Sequence, residues 1–361
     1  LDLLDPSILS ISSELRQMAL IIILLKAGLS LDLSDLKKVG RPAVLMSFVP
    51  ASFEILAFFL FAPHILGIKP IEAAVMGAVL AAVSPAIVVP RMVRLMDQNY
   101  GTDKSIPQLI LAGASCDDIF VIVLFSTFSN MAQGGNAHLM DFVNIPVSIL
   151  FGIVLGGITG YLLSLFFETA YAHKHCVRNS MKVIIVLGIS FLLMAIETWM
   201  KDIVSISGLL AVVSMACLLK IKSTTFVSKR LSDKFGKLWL AAEVILFVLV
   251  GAAVDIRYTL NAGGAAILMI LVALLFRSVG VAICLIRTRL TKKERLFCIL
   301  SYLPKATVQA AIGSVPLAMG LPCGQIVLSV AVLGILITAP LGAILIDGTY
   351  KKLLCQSKNK K

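Results

Sequence analysis

The 361-residue sequence predicts an all-α polytopic membrane protein. Apolar residues make up 59% of the chain and charged residues only 14%, whereas roughly a quarter of an ordinary soluble domain is charged. The apolar residues form continuous runs of about 20 residues, the length with which a helix crosses the hydrocarbon core. Lys and Arg are concentrated in alternate linkers between these runs. The pattern excludes a cytosolic enzyme, a disulfide-stapled secreted module and an outer-membrane barrel, whose strands would alternate in polarity.

About 11 transmembrane helices are predicted, because each apolar run is long enough to span the bilayer and is bounded by polar residues. In order along the chain they cover residues 14–31, 42–62, 71–90, 106–131, 142–167, 182–198, 203–219, 238–254, 263–286, 296–319 and 324–349.

The linkers between these helices differ in charge. Odd-numbered linkers and the C-terminal tail carry several Lys or Arg each, whereas the even-numbered linkers carry at most one. By the positive-inside rule the odd linkers and the C-terminus are cytoplasmic, and residue 1 lies on the opposite side. If the full protein starts in the cytoplasm, an odd number of helices precedes this segment. The net charge of +12 is then a topology signal, and no nucleic-acid partner is expected.

Ionisable residues inside the predicted helices are candidates for function, since a charge at bilayer depth costs at least ~2.5–3.5 kcal/mol. The candidates are Glu54, Asp117, Asp118, Glu243, Arg277 and Lys305, whereas acidic residues near the helix ends, such as Glu72 and Asp347, can reach water or headgroups. Adjacent residues on a helix point about 100° apart, so one aspartate can bind an ion while the other contacts a different partner. The alternative for the aspartate pair is an N-cap of a shorter helix. For Glu243 a contact with a polar neighbour is the simpler interpretation.

Two predicted helices are interrupted by proline near their middles, at Ser84-Pro85 and at Pro304-Lys305. Proline removes an amide donor and leaves backbone carbonyls without partners at bilayer depth. A simple kink would explain one such helix, whereas two at matching places favour a pair of broken helices that build an ion site.

The neighbours of the two breaks follow a common order of charged helix, broken helix and helix with a polar centre. Glu54 precedes Pro85 by 31 residues and Asp118 follows it by 33, while Arg277 precedes Pro304 by 27 and Thr338 follows it by 34. The first of these repeats begins on the cytoplasmic side and the second begins on the outer side. This order predicts inverted repeats with two crossed, unwound helices and a binding site at the midplane. Glu54 and Arg277 occupy matching places and are predicted to form a buried ion pair that braces the structure.

With these residues identified, the sequence resembles the monovalent cation:proton antiporters, and most closely the sodium/hydrogen exchanger subfamily B of animals. The motifs that carry the resemblance are GLSLDLSDLKKVGRPAV, AAVSPAIVVPRMV, GASCDDIF and LPKATVQAAIG. The resemblance implies a sodium/proton antiporter-type fold, a homodimer, a six-helix transport core and an elevator-like movement of that core.

The same resemblance implies roles for individual residues. Asp118 is expected to be the principal carboxylate for cation and proton, with Asp117 as its partner, ion-paired with Lys305. Val83 and Ser84 lie where the family's unwound backbone supplies oxygens, and hard oxygen ligands suit Na+ and Li+. The transported ions are the only ligands expected, with no further cofactor. Arg277 stands where electrogenic bacterial relatives carry a lysine, and arginine cannot release its proton.

Five regions follow from the helices, the repeats and the resemblance. Residues 1–36 form an N-terminal span on the dimer side, 37–135 the first core repeat, 136–260 linking spans in the dimerisation domain, 261–350 the second core repeat and 351–361 a basic cytoplasmic tail. Lysines in this tail can contact anionic lipid at roughly 1 kcal/mol each.

The function predicted is secondary active antiport, with Na+ or Li+ exchanged for H+ by competition at the buried aspartates, and no enzymatic activity. A plasma, endosomal, lysosomal or mitochondrial membrane is the expected location. A sodium-coupled organic-anion symporter of the bile-acid type is the alternative, although it is expected to have Gln, Asn or a single acid at the crossing. An intramembrane aspartyl protease would need its two aspartates on separate helices.

Overall fold

The computed structural model describes residues 11–30, 40–134, 139–172, 178–200, 206–253 and 256–357. Within these ranges the chain forms fifteen α-helices, one 3-10 turn at Thr102–Lys104 and a single isolated β-bridge. The helices are α1 Ser12–Ser30, α2 Arg41–Met46, α3 Val49–Leu66, α4 Pro70–Leu80, α5 Pro85–Asp97, α6 Ile106–Gln133, α7 Leu139–Ala172, α8 Asn179–Met200, α9 Gly208–Lys222, α10 Thr225–Ala253, α11 Ile256–Cys284, α12 Lys292–Ser301, α13 Thr307–Ile312, α14 Val315–Ala318 and α15 Gly324–Leu353.

Seven helical segments in the described part of the chain are long and apolar enough to cross a membrane. They are Arg41–Leu66, Pro70–Asp97, Ile106–Gln133, Leu150–Glu168, Ser180–Met200, Gly263–Cys284 and Gly324–Leu353. Large apolar side chains such as Leu240, Leu275 and Ile344 are more than 60% exposed, as expected where lipid replaces water around the helices. The protein is therefore an integral multi-pass membrane protein. The count of about eleven spans stays a prediction.

One predicted helix, 42–62, is divided in the structure. Its first part, α2, ends at Met46, and α3 begins at Val49. Pro50 explains the interruption, because it has no N–H to donate to the carbonyl of Met46 four residues earlier.

The described helices group into two compact units. The first comprises residues 1–31 and 133–252, and in it α9 packs against α7, α8 and α1. The approach of α7 to α9 is close: a Cβ atom at Gly156 would overlap the backbone of Ala211. Glycine therefore permits this helix contact.

The second unit comprises residues 32–132 and 253–361 and contains α2 to α6 and α11 to α15. Its main contacts join α3 to α11 and α4, and α15 to α11 and α12. All the residues that the sequence predicts for the ion site belong to this second unit.

Two of the helices predicted from the sequence are each interrupted in the second unit. The chain leaves α4 at Leu80 and enters α5 at Pro85, the first helical position, where the missing N–H of proline costs nothing. Residues 302–306 separate α12 from α13. The two interruptions touch, since the Ser84 N–H donates to the Pro304 carbonyl at 2.8 Å.

The structure describes the predicted tail at 351–361 through Ser357. Helix α15 continues through Leu353, and the next residues lie against the loop after α5: Gly101 N–H donates to Cys355 O at 2.9 Å and Ser357 N–H to Asn99 O at 2.8 Å. Of the tail lysines, Lys358, Lys360 and Lys361 lie outside the described residues, as do positions 1–10 at the predicted outer start and 31–39 in the first basic linker.

Candidate functional site

Five of the six ionisable residues selected as candidates are buried in the second unit. Glu54 lies on α3, Asp117 and Asp118 on α6, Arg277 on α11 and Lys305 in the break before α13. Their exposed fractions do not exceed 4%. The sixth, Glu243, is half-buried in the first unit. The structure thus brings together charges from four separate elements.

The guanidinium of Arg277 lies at the centre of this cluster. It donates to Glu54 Oε2 and to Asp117 Oδ2, each at 2.9 Å. It also donates to the carbonyls of Ala81, in the first helix break, and of Tyr302, in the second, the latter at 2.6 Å. The predicted Glu54–Arg277 ion pair is present, and the arginine contacts both breaks as well.

Lys305 has a different partner from the one expected. Its Nζ lies 2.6 Å from Glu54 Oε1 and donates to the Leu80 carbonyl at 2.5 Å. The expectation that Lys305 pairs with Asp117 is wrong, because Asp117 pairs with Arg277. The reason is geometric: the planar fork of the arginine spans Glu54 and Asp117 together, which leaves the second oxygen of Glu54 for the lysine.

The two aspartates lie well inside α6, which begins at Ile106, so the N-cap alternative does not apply. Asp117 Oδ2 accepts from Val83 N–H at 2.9 Å, while its Oδ1 is buried without a hydrogen-bond partner. The hydroxyl of Ser84 is also buried without a partner. Val83 thus contributes its N–H to Asp117, and the backbone oxygen expected from Val83 stays a prediction. Buried polar atoms without hydrogen-bond partners are costly and uncommon in folded proteins.

The ends of the interrupted helices complete the electrostatics of the site. Carbonyls at the C-terminal end of a helix carry negative partial charge. At the end of α4, Leu80 O is contacted by Lys305 and Ala81 O by Arg277. The two cations therefore stabilise both the carboxylates and the carbonyls that the break exposes.

Sequence reasoning missed two members of the site. Gln309 is fully buried on α13 and donates through Nε2 to Leu80 O at 3.3 Å and to Ala82 O at 2.8 Å. Tyr302 is buried beside Arg277 and accepts from it through its carbonyl. Gln309 follows Pro304 by five residues, which places a polar side chain close to the predicted break. That spacing could have indicated it.

A polytopic helical membrane protein with paired buried charges at two touching helix breaks is typical of secondary ion transporters. The family model of the sodium/hydrogen exchanger transmembrane domain matches residues 3–351, and the chain belongs to this family.

Relatives named sodium/hydrogen exchanger 9B2 and 9B1 support this membership. The 9B2 protein of Homo sapiens is 33% identical over 95% of this chain, and the human 9B1 protein is 31% identical over 95%. The chain spans 64% of the length of the human 9B2 protein. The sodium proton antiporter MjNhaP1 of Methanocaldococcus jannaschii has a similar fold, with a TM-score of 0.79 and 22% identity over 96% of this chain and 87% of that one.

Proposed function

We propose that the protein exchanges Na+ or Li+ for H+ by competition at the aspartate pair of α6, with Asp118 as the principal site. One observation carries this proposal. The cluster holds three carboxylates, Glu54, Asp117 and Asp118, and two cations, Arg277 and Lys305, all buried. Among these five residues the acids outnumber the bases by one, and the proposal is that a single monovalent cation or a single proton makes up the difference.

Competition between the two ions follows from burial. An uncompensated charge costs several kcal/mol at bilayer depth, so the site is expected to move across the membrane only when it holds a cation or a proton. A cation that binds expels the proton, and a proton that binds expels the cation. Obligatory occupancy by one ion or the other gives exchange and prevents leakage of charge. Ser84, whose hydroxyl is buried without a partner, supplies an additional hard oxygen.

The wider arrangement is part of the same proposal. The second unit acts as the transport core and moves in an elevator-like manner, while the first unit belongs to the dimerisation domain of a homodimer. The C-terminus faces the cytoplasm of a plasma, endosomal, lysosomal or mitochondrial membrane. Lys351 and Lys352, both exposed at the end of α15, can contact anionic lipid there.

The test is Na+- and Li+-driven proton movement in proteoliposomes that contain the protein or its variants. Asp118→Asn is expected to abolish exchange, because an amide cannot take up a proton or carry the negative charge that attracts the cation. Glu243→Gln is the matched control, since it makes the same change from acid to amide in the other unit and should leave exchange intact. Full activity of Asp118→Asn in folded protein would contradict the proposal.

The symporter alternative has one feature in its favour, the buried amide of Gln309 at the helix breaks. The aspartate pair and the lysine after Pro304 count against it. Absence of any proton flux with either cation, together with Na+-dependent uptake of an organic anion, would favour the symporter.

A further inference from the structure

The break between α4 and α5 leaves successive backbone carbonyls without helical partners. In a continuous helix the Ser84 N–H would donate to Leu80 O, but here it donates to Pro304 O. Residue 85 is proline, which has no N–H for Ala81 O. Side chains replace these donors: Lys305 and Gln309 contact Leu80 O, Arg277 contacts Ala81 O, and Gln309 contacts Ala82 O.

The contact of Gln309 with Ala82 has a consequence for the ion site. The carbonyl of Ala82 and the N–H of Val83 belong to one peptide unit, which is planar and points these two groups in opposite directions. Gln309 Nε2 donates to the carbonyl at 2.8 Å. The N–H at the other end donates to Asp117 Oδ2 at 2.9 Å. A single rigid peptide unit therefore joins Gln309 to the carboxylate of Asp117.

We propose that Gln309 is a positioning residue of the ion site, which fixes the orientation of the Ala82–Val83 peptide and through it the hydrogen bond to Asp117. The inference rests on the proposed cation–proton exchange and adds a specific residue to it. When Asp117 is a carboxylate it benefits most from the donated N–H, because hydrogen bonds to charged groups are the stronger ones. Gln309 thus favours the form of the site that binds a cation.

The second helix break holds a peptide in the same way but without an acid. The Pro304 carbonyl accepts from Ser84 N–H at 2.8 Å, and the Lys305 N–H of the same peptide unit donates to the Thr338 hydroxyl at 3.0 Å. Thr338 in turn donates to Gly334 O at 2.7 Å. Each break therefore contains a peptide unit whose carbonyl and N–H are both hydrogen-bonded. Only in the first break does the N–H donate to a carboxylate.

Simple packing does not account for Gln309. Its Oε1 is buried without a hydrogen-bond partner, and an unpaired buried amide oxygen is unfavourable compared with an apolar side chain of similar shape. A residue that only filled space at this place would more favourably be methionine or leucine. The Nε2 contacts with two carbonyls of the break are what the amide provides.

The experiment compares the wild type with Gln309→Met, which keeps the length of the side chain and removes its donor. Na+-driven proton movement is measured in proteoliposomes against Na+ concentration and against pH, and Na+-induced thermal stabilisation is measured on the purified protein. Ser190→Ala is the control, because it removes another buried side-chain hydrogen bond, from Ser190 Oγ to Val186 O at 2.8 Å in α8. Gln309→Asn, which retains a shorter amide, replaces the methionine variant if that variant does not fold.

We expect Gln309→Met to raise the half-saturating Na+ concentration by about fivefold to tenfold, the effect of one weakened hydrogen bond to a charged group. The pH of half-maximal activity should move to alkaline values, since the proton competes better, while the maximal rate stays within about twofold. Na+-induced stabilisation should need correspondingly more Na+. The control should keep the wild-type profile.

Two results would overturn the inference: an unchanged pH profile and half-saturating Na+, or a lower maximal rate or melting temperature without either shift. A wild-type protein that is folded but neither exchanges ions nor responds to Na+ would instead contradict the proposed function itself.

Discussion

At the scale of single residues, Glu54 holds the charge cluster together. One of its oxygens contacts Arg277 at 2.9 Å and the other contacts Lys305 at 2.6 Å. Neither cation is accessible to water, so both depend on internal partners. Removal of one partner from a buried ion pair costs about 3–5 kcal/mol, mainly because the remaining charge is left uncompensated.

Glu54→Gln is therefore expected to lower the free energy of unfolding by about 3 kcal/mol or more. Thermal unfolding of the purified protein measures the effect. The comparison is Glu243→Gln, because Glu243 is only half-buried and its change should have a much smaller effect. Equal melting temperatures for the two variants would show that Glu54 does not brace the cluster.

Glu294 forms a further ion pair, with Lys104, outside the spanning segments. Burial alone would raise the pKa of Glu294, but hydrogen bonds from the Lys104 ammonium, at 2.8 Å, and from Thr291 outweigh it and leave that pKa below its ordinary value. A carboxyl group whose pKa is lowered by folding stabilises the protein above its unfolded pKa and loses this contribution as the pH falls through the folded pKa.

Lys104→Met should consequently destabilise the protein by up to about 1 kcal/mol near neutral pH, and the difference from the wild type should shrink as the pH falls below the ordinary Glu value of 4.5. Lys104→Arg keeps the charge and is the control. Melting temperatures between acid and neutral pH measure the difference. A difference that is constant over this range would exclude the ion pair as its cause.

At the scale of elements, α7 and α9 illustrate how one glycine permits a close helix contact that its neighbour does not need. Gly156 faces the backbone of Ala211, where a Cβ would overlap, whereas a Cβ at the adjacent Gly157 would meet only Leu218 Cδ2 at an ordinary 3.9 Å. The two glycines are neighbours on one helix, so their intrinsic helix propensities are the same. Only their surroundings differ.

The same substitution should therefore have opposite effects at these two positions. Gly157→Ala is expected to stabilise by about 0.5–1 kcal/mol, because alanine favours the helix. Gly156→Ala should destabilise by about 1–3 kcal/mol, because α7 must move away from α9. Thermal unfolding of the two variants tests the contact, and stabilisation by both would mean that the helices do not approach so closely.

The sequence predicted where the helices break but not which distant residues contact each other there. Pro85 and Pro304 indicated the two helix breaks, because a missing amide acts locally, but they did not indicate that Ser84 N–H would reach Pro304 O. Pairing between distant residues depends on three-dimensional geometry, which is why Asp117 was assigned to Lys305. The residue counts matched Thr338 with Asp118, whereas the contacts match it with Asp117: Val83 N–H donates to Asp117 as Lys305 N–H donates to Thr338.

At the scale of the whole molecule, composition was enough to predict a polytopic helical protein, and the motifs were enough to predict the family. Composition could not predict that all the site residues lie in the same compact unit, because Glu54 and Arg277 are 223 residues apart in the sequence. The motifs carried that information only through their resemblance to a family.

The charge of the whole site predicts how exchange responds to voltage. Arg277 and Lys305 offset two of the three carboxylates of the proposed site, so the aspartate pair as a whole is proposed to carry one cation or one proton at a time. Arginine does not release its proton. Each cycle should thus move one cation against one proton with no net charge. If each cycle instead moved one net charge, a membrane potential of 100 mV would contribute ~2.3 kcal/mol per cycle. That energy would change the final ion gradient by about fiftyfold.

We therefore expect the Na+ gradient and the proton gradient that balance one another in proteoliposomes to be the same with the membrane potential clamped at zero and at 100 mV. Lys305→Arg supplies the control, because an arginine there cannot titrate. A strong dependence on voltage in the wild type that disappears in Lys305→Arg would mean that Lys305 releases a second proton in each cycle, and that exchange is electrogenic despite Arg277.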